Sequence, residues 1–304
     1  MAFLKLLEGI RNPILDVIFS TVTHLGEETI FIVVGILFFW CINKKEGYFL
    51  LSVGLIGTVI NQFLKLWFRI PRPWVKDPDF TIVESARAEA TGYSFPSGHT
   101  QSSVGIFGGI TRWNKNIITR ILCIAASVLV PLSRLYLGVH TPLDVGVSIL
   151  IALALVFGFY PIIKNCTEKP NGMRILLGLM TVFSVFYLLF VNLYNFPADI
   201  DLHNFESGLK NGWKMLGCII GLWLSFEIDL NFTKFDTEAK WWVQILKFVI
   251  GLIPVILIKS LLKEPLYNLC NDSFAADGIR YFLITAFAGC IWPMTFKFFK
   301  KLGK

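Results

Sequence analysis

Apolar runs recur along the chain at about 27–43, 46–67, 98–113, 116–137, 140–164, 172–194, 212–232, 240–263 and 277–299, separated by short polar loops. Most approach the ~20 residues that cross ~30 Å of hydrocarbon at 1.5 Å per residue. The pattern predicts an all-α, polytopic transmembrane bundle of about nine spans. The third run is short and opens on His99, Thr100, Gln101, Ser102 and Ser103, which predicts a helix whose first turn lines a cavity. Ahead of the first run, Phe3, Leu4, Leu6, Leu7, Ile10, Ile14, Leu15, Val17 and Ile18 recur near helical spacing and are broken by Asn12-Pro13. That predicts an N-terminal interfacial pair of helices.

Composition sharpens this picture. Of 304 residues, 55% are hydrophobic and only 16% charged, against about 25% charged in soluble domains. The chain therefore divides into many spans rather than one large core. A net charge of +7 would fit nucleic acid, but most cations sit in loops, so no nucleic-acid partner is expected and membrane lipids are. Lys44 and Lys45, then Arg112, Lys115 and Arg120, then Lys164, Lys169 and Arg174 occupy alternate loops. Lys234 and Lys240 continue the series, which Lys297, Lys300, Lys301 and Lys304 close; the intervening loops carry Asp199, Asp201, Glu206, Glu264, Asp272 and Asp277. The positive-inside rule then places the N-terminus outside and the C-terminus in the cytoplasm. The polar stretch 164–174 is the best boundary, giving an N-terminal interfacial segment (1–26), a core (27–164) and additional transmembrane helices (165–304). Six cysteines without paired spacing read as small buried thiols. Abundant Ile, Lys, Asn and Phe point to a bacterial source, hence a cytoplasmic membrane.

Three stretches on the predicted outer face carry chemistry: Lys65 to Arg72-Pro73, Pro96-Ser97-Gly98-His99, and Ser133-Arg134 followed by His140 and Asp144. Phosphoryl transfer needs charge neutralisation on three equatorial oxygens and an in-line nucleophile. Arg72 and Arg134 can grip two oxygens as planar forks, and Lys65 adds a point charge. Ser97 and Gly98 open a helix, where backbone amides seat an anion. His140 and Asp144, four apart at the start of the fifth span, would share a helix face, leaving one imidazole nitrogen aimed at phosphorus. His99 remains to protonate the leaving oxygen. No carboxylate cluster of Mg²⁺-ligand character accompanies them, so neither metal nor other cofactor is expected.

The patterns Lys-x₆-Arg-Pro, Pro-Ser-Gly-His and Ser-Arg-x₅-His-x₃-Asp resemble the type 2 phosphatidic acid phosphatase superfamily, the lipid phosphate phosphatases. The same site occurs in vanadium haloperoxidases and bacterial acid phosphatases. The resemblance covers Lys65 to Asp144 without a departure. It implies a phosphohistidine on His140, partnered by Asp144, with His99 as general acid. Lys65, Arg72, Ser97, Gly98 and Arg134 would bind phosphate. Ser85-Ala86-Arg87 and Thr91 to Phe95 look like the sphingosine-1-phosphate phosphatases and their bacterial relatives. The nine-span plan with an outside N-terminus looks like glucose-6-phosphatase.

The function expected is hydrolysis of a lipid phosphate or diphosphate at the outer or luminal leaflet. Aromatic side chains near the motif, including Trp67, Phe68, Trp74 and Phe80, suit an amphiphile with its head at the interface. Transfer of the phosphate to a lipid acceptor and hydrolysis of a soluble sugar phosphate are the rival readings. A non-catalytic scaffold would predict decay of the His/Arg set, which is intact. His24 and His203 read as interfacial residues rather than ligands. Gly217-x₃-Gly221 is open between internal packing and a homodimer seam. Glu227, Asp229 and Lys247 are expected to form a structural ion pair between the seventh and eighth spans.

Overall fold

The computed structural model describes residues 1–302. Gly303 and Lys304, the last of the C-terminal cations, lie outside the described residues. Among those described, every regular element is helical. The chain opens with α1 (Ala2–Gly9) and α2 (Pro13–Thr23), and a 3₁₀ turn (His24–Gly26) leads into α3 (Glu28–Leu37). Then follow α4 (Lys44–Phe68), α5 (Pro73–Lys76), α6 (Gly98–Trp113), α7 (Ile117–Tyr136), α8 (Pro142–Leu153) and α9 (Tyr160–Thr167). The remainder is α10 (Pro170–Leu193), α11 (Leu202–Ile228), α12 (Trp241–Leu261), α13 (Lys263–Leu269), α14 (Ala275–Ala286) and α15 (Phe296–Leu302).

Six helices are long and apolar enough to cross a membrane, and two bent pairs raise the number to eight. One pair joins Pro13–Gly26 to Glu28–Ile42 at 51°, the other Pro142–Gly158 to Tyr160–Thr167 at 41°. The ninth expected span is α6, which at 16 residues falls short of that length. One boundary moved. α11 begins at Leu202 rather than near 212, because Asp201 caps it (Asn204 N to Asp201 Oδ1, 2.9 Å) and Phe205 packs edge-on to Phe196. Its polar first turns gave no hydropathy signal.

The other helix starts follow capping chemistry. Asn12, Ser97 and Asn116 each accept from a backbone amide three residues on, and Pro13 and Pro142 occupy first-turn positions where no N–H is needed. Thr141 and Asp144 form a reciprocal capping box at α8.

The chain divides into two compact units. The first comprises Met1–Val33, Ile56–Tyr160 and Phe196–Gly208. In it, Leu4, Phe80, Ile82, Leu135, Tyr136, Leu137, Val139 and Val145 form a core against which Leu7, Leu15 and Phe19 pack. Thus α1 and α2 bury one face on protein while Phe3, Leu6, Ile14, Val17 and Ile18 stay exposed on the other. Phe80, expected to face the lipid, is a core residue.

The second unit comprises Val34–Leu55, Pro161–Asn195 and Leu209–Lys304. Here the expected ion pair takes other partners. Arg174 donates to both oxygens of Glu227 (2.6 and 2.8 Å), and Lys44 pairs with Asp229 (2.6 Å). Lys247 lies over the Phe296 ring at 4.4 Å. The Gly217-x₃-Gly221 stripe is spent on internal packing. A Cβ at Gly217 would meet the Gly278 carbonyl oxygen at 2.0 Å, and one at Gly221 would meet Thr285 at 2.7 Å.

Candidate active site

Five helix ends bring the eight candidate residues together inside the first unit. Lys65 and Arg134 occupy the last turns of α4 and α7, where the carbonyl end favours a cation. Arg72 caps the short α5, Ser97 caps α6 with Gly98 and His99 in its first turn, and Asp144 lies in the first turn of α8. Lys65, Arg72, Ser97, Arg134, His140 and Asp144 are buried, while Gly98 and His99 are half-buried.

His140 sits in the turn before α8 and not on the helix, because Thr141 is the cap and Pro142 the first helical residue. The expected pairing with Asp144 therefore arises from a turn rather than from a shared helix face. Its Nδ1 lies 3.6 Å from Asp144 Oδ2, and its Nε2 lies 2.9 Å from Arg72 Nη1. A guanidinium only donates, so Nε2 accepts and the imidazole proton resides on Nδ1, facing the carboxylate. That tautomer leaves the Nε2 lone pair facing Arg72. Asp144 Oδ2 is held in turn by Ser94 Oγ (2.6 Å) and the Thr141 amide (2.7 Å). Burial, and then the Arg72 charge, hold the His140 pKa well below its ordinary value, while Asp144 opposes them.

The three cations differ in how their donors are used. Arg72 spends its Nε and Nη2 on the carbonyls of Gly92 (3.1 Å) and Thr91 (2.7 Å), and its Nη1 on Val139 O (2.9 Å) and His140. It therefore grips the 91–92 loop rather than presenting the open fork the sequence predicted. Lys65 Nζ donates to the Tyr93 carbonyl in the same loop. Arg134, with no exposed surface, donates Nη1 to Thr23 Oγ1 (2.8 Å), whereas its Nε and Nη2 have no partner. Those two N–H groups form one edge of the guanidinium, the geometry that matches two phosphate oxygens.

His99 Nε2 is also buried without a partner, and its ring feels the charges of Arg134, Arg72 and Lys65. Gly98 stands where an added Cβ would come 3.8 Å from Asn61 Oδ1, itself unpartnered. Asn61 Nδ2 bonds Gln101 Oε1 (3.0 Å), whose Nε2 bonds Gly57 O (2.6 Å), so α4 and α6 are locked beside the anion seat. Sequence reasoning missed Asn61, Ser94 and Thr23, and it had Gln101 only as part of a polar, cavity-lining first turn. Only the Thr141-x-x-Asp144 capping signature was legible as a local pattern. Among the described residues, no three His, Cys, Asp or Glu side chains group as metal ligands.

The family model of the PAP2 superfamily matches residues 45–168, and that of the PAP2 superfamily phosphatase transmembrane extension matches 213–304. The chain is 30% identical over 177 residues to phosphatidylglycerophosphatase B of Bacillus subtilis, covering 53% of this chain and 82% of that protein.

The chain belongs to the PAP2 superfamily.

This PAP2 chain is also 25% identical over 283 residues to sphingosine-1-phosphate phosphatase 1 of Mus musculus, covering 84% of this chain and 61% of that protein. It spans 39% of the probable sphingosine-1-phosphate phosphatase of Dictyostelium discoideum. The crystal structure of the first transmembrane PAP2-type phosphatidylglycerolphosphate phosphatase from Bacillus subtilis shares 28% identity over 55% of this chain and 84% of that chain, with a TM-score of 0.43. The class of chemistry is phosphoric monoester hydrolysis, in an integral membrane protein.

Proposed function

We propose that this PAP2 chain hydrolyses a lipid phosphate or diphosphate at the outer or luminal membrane face through a phosphohistidine on His140, without a metal. The observation that carries the reading is a neutral imidazole with its Nε2 lone pair turned to the cations, together with a buried, unpartnered Arg134 edge. Phosphate oxygens would satisfy that edge and the amides at the start of α6. Nε2 then attacks phosphorus, forming the N–P bond as the ester P–O bond breaks. His99 gives its proton to the leaving alkoxide, then takes one from the water that cleaves the phosphoenzyme. Asp144, 3.6 Å from Nδ1, faces that proton and steadies the positive charge that develops on the ring. Arg72 Nη1 shifts from the lone pair to a phosphate oxygen as substrate enters.

A lipid is favoured over a soluble ester because Trp67 and Phe68, beside Lys65, are about half exposed and form an apolar approach. Each CH₂ they bury contributes about 0.8 kcal/mol. The topology proposed is nine spans, with α6 as a short crossing, α1 and α2 interfacial, and the site facing out of a cytoplasmic membrane. Its support is the alternation of loop charge. On a background lacking native cysteines, an impermeant thiol reagent should label a cysteine at Asp79 and spare one at Lys45 in intact cells. The reverse labelling would invert the orientation.

The functional test is phosphate release by purified protein from a panel of lipid phosphates in EDTA, with and without vanadate. Release in EDTA that vanadate suppresses, falling steadily with chain length, is expected. Strict Mg²⁺ dependence, equal turnover of a soluble sugar phosphate, or appearance of a phosphorylated acceptor in place of free phosphate would each overturn one part of the reading.

A further inference from the structure

The family model begins at residue 45, so nothing in it assigns a task to the first two helices. Yet they reach the candidate site at two points. The first is the Thr23 hydroxyl, 4% exposed, which accepts the Arg134 Nη1 proton at 2.8 Å. It anchors Nη1 at the back of the guanidinium and leaves the Nε–Nη2 edge bare. The second is Gly26, three residues on. A Cβ there would lie 2.8 Å from the His99 carbonyl oxygen, 2.9 Å from His99 Cβ and 2.9 Å from Val130. Only a glycine lets the turn approach the first turn of α6 so closely.

Between these contacts, α2 is held in register on the residue two places past Arg134. Tyr136 donates its hydroxyl to Asp16 (2.7 Å), accepts from the Asn12 amide (3.3 Å) and stacks on Phe19 at 4.4 Å. Arg11 Nε bonds the Tyr136 carbonyl at 3.0 Å. His24, one of the two residues between, pairs with Glu27 and stays exposed. A guanidinium inside protein has five donors and free rotation about its stem; the side of it that faces a ligand depends on what holds the other side.

We infer that Thr23 is a positioning residue for the phosphate-gripping edge of Arg134, and that the turn 23–26 forms the wall behind Arg134 and His99. The N-terminal helices are thereby a working part of the catalytic unit. The inference rests on the phosphate-site reading above and adds to it the residue that aims the arginine.

The test uses the purified full chain and vanadate as the probe, read both as inhibition of turnover and as the vanadate-induced rise in thermal midpoint, which requires no turnover. Thr23→Val keeps the shape and removes the acceptor. It should weaken vanadate binding and lower kcat/KM by about 10- to 100-fold, the range for loss of a hydrogen bond to a charged group. Thr23→Ser, which restores the acceptor, should stay within about threefold of the natural chain. On an Arg134→Lys background, Thr23→Val should add less than about threefold, since the group it aims is gone. Gly26→Ala should lower kcat more than it weakens vanadate, because it displaces His99 rather than Arg134.

If Thr23→Val and Thr23→Ser lose vanadate affinity equally, or if Thr23→Val acts undiminished without Arg134, Thr23 is only packing and the inference falls. Natural protein that binds no vanadate would overturn the phosphate site itself and the inference with it. Vanadate binding by the natural chain that Thr23→Val leaves intact would overturn the inference alone.

Discussion

Each unit buries a charged cluster, and the two are finished differently. In the second unit Asp229 accepts from Lys44 Nζ (2.6 Å), Thr233 Oγ1 (3.1 Å) and the Phe235 amide (3.0 Å). Lys44 also donates to the Phe235 carbonyl and sits 4.3 Å over that ring. The ion pair is closed. In the first unit three buried cations, Lys65, Arg72 and Arg134, stand against a single buried carboxylate, Asp144, among the described residues, and Arg134 Nε and Nη2 and His99 Nε2 have no partner. A buried charge that is fully answered stabilises a fold; buried donors left over need a ligand to answer them. Both clusters look alike in the sequence as charges among apolar residues. On the proposed reading, the leftover valence on Arg134, visible only in three dimensions, is what separates the catalytic cluster from the structural one.

The contrast breaks most sharply at the nucleophile. His140→Ala should abolish phosphate release in a folded protein, and Asp144→Asn should cut kcat by about 10³- to 10⁴-fold through loss of the orienting anion. Steady-state turnover of purified variants with unchanged thermal midpoints checks this. Substantial release by His140→Ala would remove the assignment.

Next come matched substitutions in the two clusters. Arg134→Lys, which keeps charge and loses the two-pronged edge, should lower kcat/KM by about 10²- to 10³-fold with little change in stability. Asp229→Asn should do the opposite, costing about 1–3 kcal/mol of stability while leaving kcat/KM within about twofold. Denaturation and kinetics on the same preparations separate the outcomes. If Asp229→Asn loses activity as Arg134→Lys does, the two clusters are not distinct in kind.

The smallest expected effect is in pH. In the proposed mechanism the base form of His140 is the reactive one, and burial together with Arg72 pushes its pKa well below the ordinary histidine value. Protonation, and loss of kcat/KM, should therefore begin only below about pH 6.5 as pH falls. The substrate's own second ionisation near ~6 must be divided out of the profile. An acid limb centred above 7 would mean that the nucleophile is not held neutral in this way.

Much of this was legible in the sequence for physical reasons. Hydrophobic run length located the long apolar helices because bilayer thickness fixes it, and Pro-Ser-Gly-His located the capped start of α6 because caps act locally. Three features were not legible. α11 starts ten residues early on a polar turn capped by Asp201, where hydropathy carries no information. The partners of Glu227 and Asp229 are Arg174 and Lys44, 53 and 185 residues away, and nothing local selects them. Thr23 lies 111 residues from Arg134 in a segment that reads as an amphipathic surface helix. Local chemistry shows in a sequence; the choice among distant partners does not.

The central claim is a metal-free phosphohistidine on His140. The most direct measurement mixes purified protein with a ³²P-labelled lipid phosphate in EDTA, quenches within milliseconds, and maps the label by peptide. The account predicts an acid-labile, base-stable phosphoryl group on the peptide carrying His140. It should be absent from His140→Ala and should accumulate in Asp144→Asn if breakdown is slowed more than formation. Turnover without any labelled histidine, or label on His99 instead, would contradict it.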